Sequence, residues 1–497
     1  MHPHGVHAHP DLRKKSGCPQ LSRFHIGAQK VLTRTALIIG VTALYFALVA
    51  FMGFSVRRHA SSSAGFTEGG KSFAPWLIAA LMLSEFIGSS VSIGTAQKGF
   101  EDGISAGWNL VALSMGFLLL GVLLVGRYRR TKLNTISAIL EQMYGKGVRY
   151  AASVLTIFSL NVVAVALYAS GGAVLGAVMH IDRGIATVIV GLVAIFFVTV
   201  GGFRSVIYTN TLNAIIKYLG IVLALAFALS QSGGYDHLRS ALPARMFDPT
   251  GVGLSQIIAW MIAGIGSIFA TQYVIQGIVT TPDDKGARRA CYYVAALMIP
   301  FGVIVALIGV CSAMLYPGIK SIDAFPVLIA HMPPFAASIV VIGLAGALFG
   351  GISASTIASG TLLLRDFYEP HFKGQRDDRS SVRFIRISTV VIGLIPLVLA
   401  LFASKILLIA FLGKSLRATL AVMILLCFYA PRFGTPRGAM AGIVLSIIAT
   451  ISWFIAGNPY GVDSSYFALG VPLAVMTISQ LWKVLHRGQQ SAAAERT

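Results

Sequence analysis

Runs of about twenty apolar residues recur from residue 32 to residue 484, each long enough for a helix to cross the hydrocarbon core of a bilayer. In hydrocarbon every backbone N–H and C=O must find its partner inside the protein, so helices are the building units of such a chain. Two of the runs are interrupted. Ser84-Glu85-Phe86-Ile87-Gly88-Ser89-Ser90 and Ala263-Gly264-Ile265-Gly266-Ser267 lie some 180 residues apart and put small and polar residues where a spanning helix ought to continue. An unwound helix survives at membrane depth only where it is buried in protein or lines a cavity. A matched pair of such breaks is the sequence mark of a binding site in a transporter built from inverted repeats. The expectation is two spanning helices that unwind at these stretches around a shared chamber.

Composition agrees with a membrane protein: 56% of residues are apolar and 11% charged, against roughly a quarter charged in soluble domains. The chain therefore reads as one membrane domain without a soluble catalytic module. Its net charge of +21, from 39 basic and 18 acidic residues, fits basic residues gathered in cytoplasmic loops. No basic patch is interleaved with base-stacking aromatics, so nucleic acid is not an expected partner. Cys18, Cys291, Cys311 and Cys427 show no paired spacing for zinc or disulfides and read as small apolar packers. His2, His4, His7 and His9 alternate in a polar, disordered tail over 1–31, without a second type of metal ligand beside them. No resident cofactor or metal is expected. The expected partners are a small-molecule solute and the lipid bilayer, with the chain a monomer or weak homodimer.

The predicted fold is an all-α membrane protein of about 13 transmembrane helices, at 32–55, 73–97, 104–126, 150–178, 184–200, 208–230, 254–279, 291–316, 335–364, 387–403, 406–430, 438–456 and 465–483. The interrupted runs open two sets of five: repeat one over 73–230 and repeat two over 254–430. An odd number of spans per set inverts one relative to the other, giving a five-plus-five inverted repeat with broken first and sixth core helices. An extra helix (32–55) precedes the repeats and two (438–483) follow, before a cytoplasmic tail at 485–497. Loop charge orients the chain with its amino terminus outside and carboxyl terminus cytoplasmic. Arg57-Arg58, Arg127 with Arg129-Arg130, Lys285 with Arg288-Arg289, the basic stretch 365–386, Arg432, Arg437 and Lys483 then all lie inside. Arg13, Lys14 and Lys15 argue the other way and are outweighed. There is no signal-peptide pattern. The expected location is a bacterial inner membrane.

Several stretches resemble the sodium:solute symporter family, which includes proline, sialic acid and sugar symporters. They are Thr135-Ile136-Ser137 with Leu140-Glu141 and Tyr144-Gly145; Gly201-Gly202-Phe203-Arg204-Ser205 followed by Tyr208-Thr209-Asn210; Thr271-Gln272-Tyr273-Val274-Ile275-Gln276; Asp323-Ala324-Phe325-Pro326; and Asp366-Phe367-Tyr368. They follow the family's order over about 35–485. The resemblance implies a sodium site made by backbone carbonyls at the first break and by a Ser-Thr pair on the eighth core helix. Aligned without gaps from Asp366-Phe367-Tyr368, that pair falls on Gly350-Gly351; Ser355-Thr356 lies five residues later and needs a shifted register. The family's aspartate on the fifth core helix is Asn210 here. The carbonyls of Ser84 and Ile87 remain available, but a hard cation favours charged oxygen ligands, and two hydroxyls and one carboxylate are missing.

Lys217 lies two turns from Asn210 on the same helical face. A lysine at a span's centre costs about 2.5–3.5 kcal/mol on insertion scales and must face a partner or cavity. Its ammonium can replace the sodium or carry a proton, or it can snorkel or pair with Glu85 and simply hold helices together. Glu85, beside Gly88 in the first break, can receive a substrate amine, a proton or a lysine. Lys414 and Arg417 sit three apart on one face of the tenth core helix. If that helix is continuous they lie near mid-membrane and suit an anionic solute, since guanidinium binds carboxylate bidentately; if it ends at residue 412 they sit in a surface loop. Asn161, Gln256 and Trp260 are further cavity-lining candidates, or helix–helix hydrogen-bonding groups. Asp283-Asp284 and Arg288-Arg289 read as a solvated cluster on an inner loop.

These readings combine into secondary active transport of a small organic carboxylate by alternating access, with proton coupling or sodium independence favoured. No phosphate-binding Gly-rich loop is present to supply ATP-driven work. The alternatives are a sodium-coupled amino-acid or sugar symporter and a membrane solute sensor. A sensor is disfavoured because the chain ends about a dozen residues after its last span without a signalling module. A channel lacks a continuous polar stripe, and an enzyme lacks a catalytic constellation.

Overall fold

The computed structural model describes the backbone of 36–38, 40–45, 47–49, 51, 73–179, 181–371, 378–403 and 406–494, and the side chains of these except 177–179, 197–206, 371, 378, 406–407 and 487–494. The histidine-bearing tail with Cys18, the Arg57-Arg58 loop, part of the 365–386 stretch and the side chains of Gly201–Ser205 lie outside the described residues. Among the described residues there is no strand. Nine helices among the described residues are long and apolar enough to cross a membrane, or up to ten if a bent pair counts as one span; shorter apolar helices include Ala36–Val49, Pro75–Phe86 and Arg183–Phe196.

The chain runs α1 (Pro75–Phe86), α2 (Ser89–Asp102), α3 (Trp108–Leu119), α4 (Val125–Thr131), α5 (Ile136–Tyr144), α6 (Lys146–Met179), α7 (Arg183–Gln231), α8 (Tyr235–Ala241), α9 (Leu254–Phe269), α10 (Gln272–Val279), α11 (Asp284–Leu315), α12 (Ala324–His331), α13 (Pro334–Leu362), α14 (Asp378–Ala400), α15 (Ile406–Tyr429), α16 (Pro436–Ile455) and α17 (Ser465–Ala494). A π-helical turn, Leu120–Leu124, joins α3 to α4, and another, Leu363–Tyr368, extends α13.

The first break falls inside the expected stretch. α1 stops at Phe86, Ile87 turns at φ −90°, ψ 30°, and Gly88 extends at φ −54°, ψ 169° before α2 begins. The second break requires a correction. Ala263–Ser267 is helical, and the chain unwinds at Ala270 and Thr271 instead, where α9 and α10 meet at a bend of 47°. Gly264 and Gly266 are packing residues. A Cβ at Gly264 would stand 2.9 Å from the Ala112 Cβ, and one at Gly266 would stand 2.5 Å from the Ala418 Cβ. Their missing side chains let α9 press against α3 and α15, as small residues do between membrane helices.

A second difference concerns the fourth and fifth core spans, expected as separate helices at 184–200 and 208–230. The backbone is helical throughout Arg183–Gln231. Its latter half packs against α13 along a seam of small residues. A Cβ at Gly343 would lie 2.8 Å from the Lys217 Cα, one at Gly346 would lie 2.5 Å from the Asn213 Oδ1, and one at Gly350 would collide with the Asn210 Oδ1. Asn213 donates to the Gly346 carbonyl at 2.6 Å across this seam. Tyr45, from the described part of the extra helix, donates in turn to the Asn213 Oδ1.

Candidate functional site

The unwinding at Ile87–Gly88 frees backbone groups that α1 would otherwise pair internally. Lys217, on α7 and 1% exposed, donates to the Ser84 carbonyl at 2.8 Å. The Ser84 hydroxyl donates to the Asn210 Oδ1 at 2.8 Å, and the Asn210 amide donates to Glu85 Oε1 at 2.9 Å. Glu85 is 8% exposed. Lys217 and Glu85 form no direct ion pair within salt-bridge distance; Asn210 and Ser84 connect them. The acidic and basic side chains thus meet through hydrogen bonds inside the bundle, where an uncompensated charge is costly. On the other side of the break, Ser89 and Ser170 share a 2.8 Å hydroxyl bond that fastens α2 to α6.

Gly350 and Gly351 border this cluster. Asn210 occupies the space a Gly350 side chain would need, while a Cβ at Gly351 would stand 2.8 Å from Leu167 Cδ1 and 3.7 Å from Glu85 Oε2. Ser355 and Thr356 are buried, and the Thr356 hydroxyl donates at 2.6 Å to Ile352 in its own helix. Neither is hydrogen-bonded to the first break. The Ile87 carbonyl accepts from the Ser92 hydroxyl at 3.3 Å.

The second break is bordered by different chemistry. α15 runs unbroken over Ile406–Tyr429, so Lys414 and Arg417 lie in a helix and the surface-loop alternative is excluded. They are 3% and 1% exposed. Arg417 Nη1 donates to the Thr271 hydroxyl at 2.7 Å, and its Nε reaches the Gly413 carbonyl at 3.3 Å. Thr271 donates onward to the Ser267 carbonyl. Tyr128 donates at 2.5 Å to the carbonyl of Phe269, the last residue of α9. The Lys414 Nζ sits 4.5 Å above the Phe411 ring and makes no hydrogen bond. Phe411 packs on Trp260 with ring centroids 5.9 Å apart. Phe86, at the end of α1, lies 5.7 Å from Tyr273 at the start of α10, so an aromatic pair links the two breaks.

Of the expected site residues, Glu85, Ser84, Asn210 and Lys217 meet at the first break, with Gly350 and Gly351 against them. Gly88 supplies its extended turn. Arg417 reaches the second break, and Lys414 and Trp260 meet at Phe411. The Asn161 amide donates at 2.8 Å to Ile157 and its buried Oδ1 is unpartnered; Gln256 is half-buried one turn before Trp260. Neither is hydrogen-bonded to Lys414 or Arg417. The sequence reading missed Asn213, Tyr45, Tyr273 and Phe411 as site-forming groups.

The loop motifs converge as well. Asp366, fully buried, accepts from the Ser137 and Ser153 hydroxyls and from Arg149, whose Nε lies at 2.9 Å. Arg149 also bonds Glu141 at 2.6 Å and the Arg365 carbonyl at 2.8 Å. The expected solvated cluster is partly structural: Asp283 caps α11 through the Gly286 N–H at 2.8 Å, and Asp284 pairs with Arg129 at 2.6 Å.

The model of the sodium:solute symporter family matches residues 66–446. The chain belongs to the sodium:solute symporter family. Relatives include the high affinity choline transporter 1 of Homo sapiens, 23% identical over 76% of this chain and 68% of its own length. The osmoregulated proline transporter OpuE of Bacillus subtilis is 22% identical over 84% of this chain and 89% of its own. Sodium/glucose cotransporter 1 of Oryctolagus cuniculus is 23% identical over 90% and 76%. Among solved structures, a substrate-bound, outward-open Na+-coupled sialic acid symporter superposes with a TM-score of 0.77 at 18% identity, covering 90% of this chain and 98% of that one. The protein is thus a multi-pass membrane transporter of the five-plus-five inverted-repeat fold, and not an enzyme.

Proposed function

We propose that this symporter moves a small organic carboxylate by alternating access, with the ammonium of Lys217 standing where its relatives place sodium at the first break. The observation that carries this reading is the 2.8 Å bond from Lys217 Nζ to the Ser84 carbonyl, made beside a Gly350 that has no room for a hydroxyl-bearing side chain. A cation bound covalently through its own side chain cannot be released to the cytoplasm as a transported ion. Coupling then falls to protons or to the solute gradient itself. The pair of cations at the second break, with no carboxylate in ion-pair distance among the described residues, supports an anionic solute. The loop-charge bias supports an amino terminus outside. Transport work requires that solute and coupling ion bias the inward- and outward-facing states differently, and the two half-helix junctions are the elements that both can reach.

The competing reading is a sodium-coupled amino-acid or sugar symporter, favoured by the proline and sodium/glucose transporters among the relatives. Uptake into proteoliposomes separates the two. The proposal expects carboxylate uptake of equal rate with and without a sodium gradient, and faster uptake with an inward proton gradient. Uptake that requires sodium and ignores pH contradicts it.

A further inference from the structure

The interior holds an unequal set of charges. At the first break Lys217 and Glu85 offset each other through Asn210 and Ser84. At the second, Lys414 and Arg417 have no carboxylate within ion-pair distance among the described residues. The Lys414 ammonium, with three donors, is buried and makes no hydrogen bond. Arg417 meets only neutral groups: Nη1 donates to Thr271, Nε reaches Gly413, and Tyr273 is a further hydrogen-bond partner. A monocarboxylate on Arg417 would leave the ammonium stranded in low dielectric, which is costly.

We infer that the solute of this site is a short dicarboxylate, with one carboxylate on Arg417 and the other on Lys414. This rests on the carboxylate reading above and sharpens it to two charges on one molecule. Residues three apart share one helical face, so Lys414 and Arg417 can each take one end of a single short diacid. The Trp260–Phe411 pair, with Lys414 over the Phe411 face, supplies an apolar wall for the methylenes between the carboxylates. The first break, already neutral, adds no demand for a third charge.

The test is thermal stabilisation of the purified full-length protein in sodium-free buffer, titrated with succinate and glutarate and with acetate, butyrate and chloride as controls. Wild type is expected to bind succinate or glutarate at least about tenfold more tightly than butyrate. Lys414→Met should bring the dicarboxylates down to the butyrate level. Lys414→Arg, which keeps the charge, should retain the preference and guards against a folding defect in the methionine variant. Butyrate binding as tightly as succinate in wild type, or chloride raising butyrate binding to the succinate level, overturns the two-charge inference and leaves the carboxylate reading standing. Binding of none of these acids overturns both.

Discussion

The two helix breaks lie at corresponding places in the two repeats and are satisfied in opposite ways. At the first, every charge has an answer inside the protein: Lys217 on the Ser84 carbonyl, and Asn210 between Ser84 and Glu85. At the second, Arg417 bonds only neutral oxygens and Lys414 bonds nothing. On the proposed reading, the break that is complete without a ligand holds the scaffold and sets its coupling, and the break that leaves cations unanswered takes the anion. The difference lies in the residues and not in the repeat architecture.

If the second break holds the solute, removing its guanidinium has the largest effect. Arg417→Gln should lower uptake by at least about a hundredfold, the scale of losing a buried charged contact, in proteoliposomes reconstituted at matched protein density. Near-normal transport in that variant would move the solute elsewhere.

The first break should show its effect in stability. Lys217→Met leaves Glu85 buried without its counter-charge and should cost about 3–5 kcal/mol, the usual penalty for breaking a buried pair. A lowered melting temperature is the readout, and adding Glu85→Gln should recover most of the loss. If the double variant is no better than the single, the two charges are not offsetting each other. Gly350→Ser forces a side chain against the Asn210 amide and should cost about 1–3 kcal/mol, as overpacking does. Trimming Asn210 to Ala in the same chain should relieve that clash, and failure to do so removes Asn210 as its cause.

How much of this was legible in the sequence differs between the breaks for a physical reason. The first shows as Ser84-Glu85 and Gly88-Ser89-Ser90 inside an apolar run, because both the polarity and the glycine of the break are local. The second has neither glycine nor proline at Ala270-Thr271. Contacts from far along the chain hold it instead: Tyr128 donates to the Phe269 carbonyl and Arg417 to the Thr271 hydroxyl. The glycines that suggested a break nearby, Gly264 and Gly266, serve helix–helix approach instead. Charges in the spans were readable because charge is rare there; Tyr45, Asn213 and Phe411 were not, since tyrosines, amides and phenylalanines occur throughout such helices.

Smaller effects sharpen the same contrast. Thr271→Val removes the hydroxyl that receives Arg417 and should weaken solute binding about tenfold, equivalent to about 1.4 kcal/mol, as read from the uptake KM. Ser355→Ala, which touches no bond at the first break, should stay within about 0.5 kcal/mol of wild-type stability and leave cation dependence unchanged. A sodium effect from that substitution would mean that Ser355 and Thr356 serve the ion site after all.

The central claim is that a built-in ammonium fills the cation position at the first break. Equilibrium binding of radioactive sodium to the purified transporter tests it most directly, in wild type and in Lys217→Ala. The account predicts no saturable sodium binding in wild type. Stoichiometric sodium binding to wild type, lost when the Ser84–Gly88 turn is disrupted and indifferent to Lys217, would contradict it.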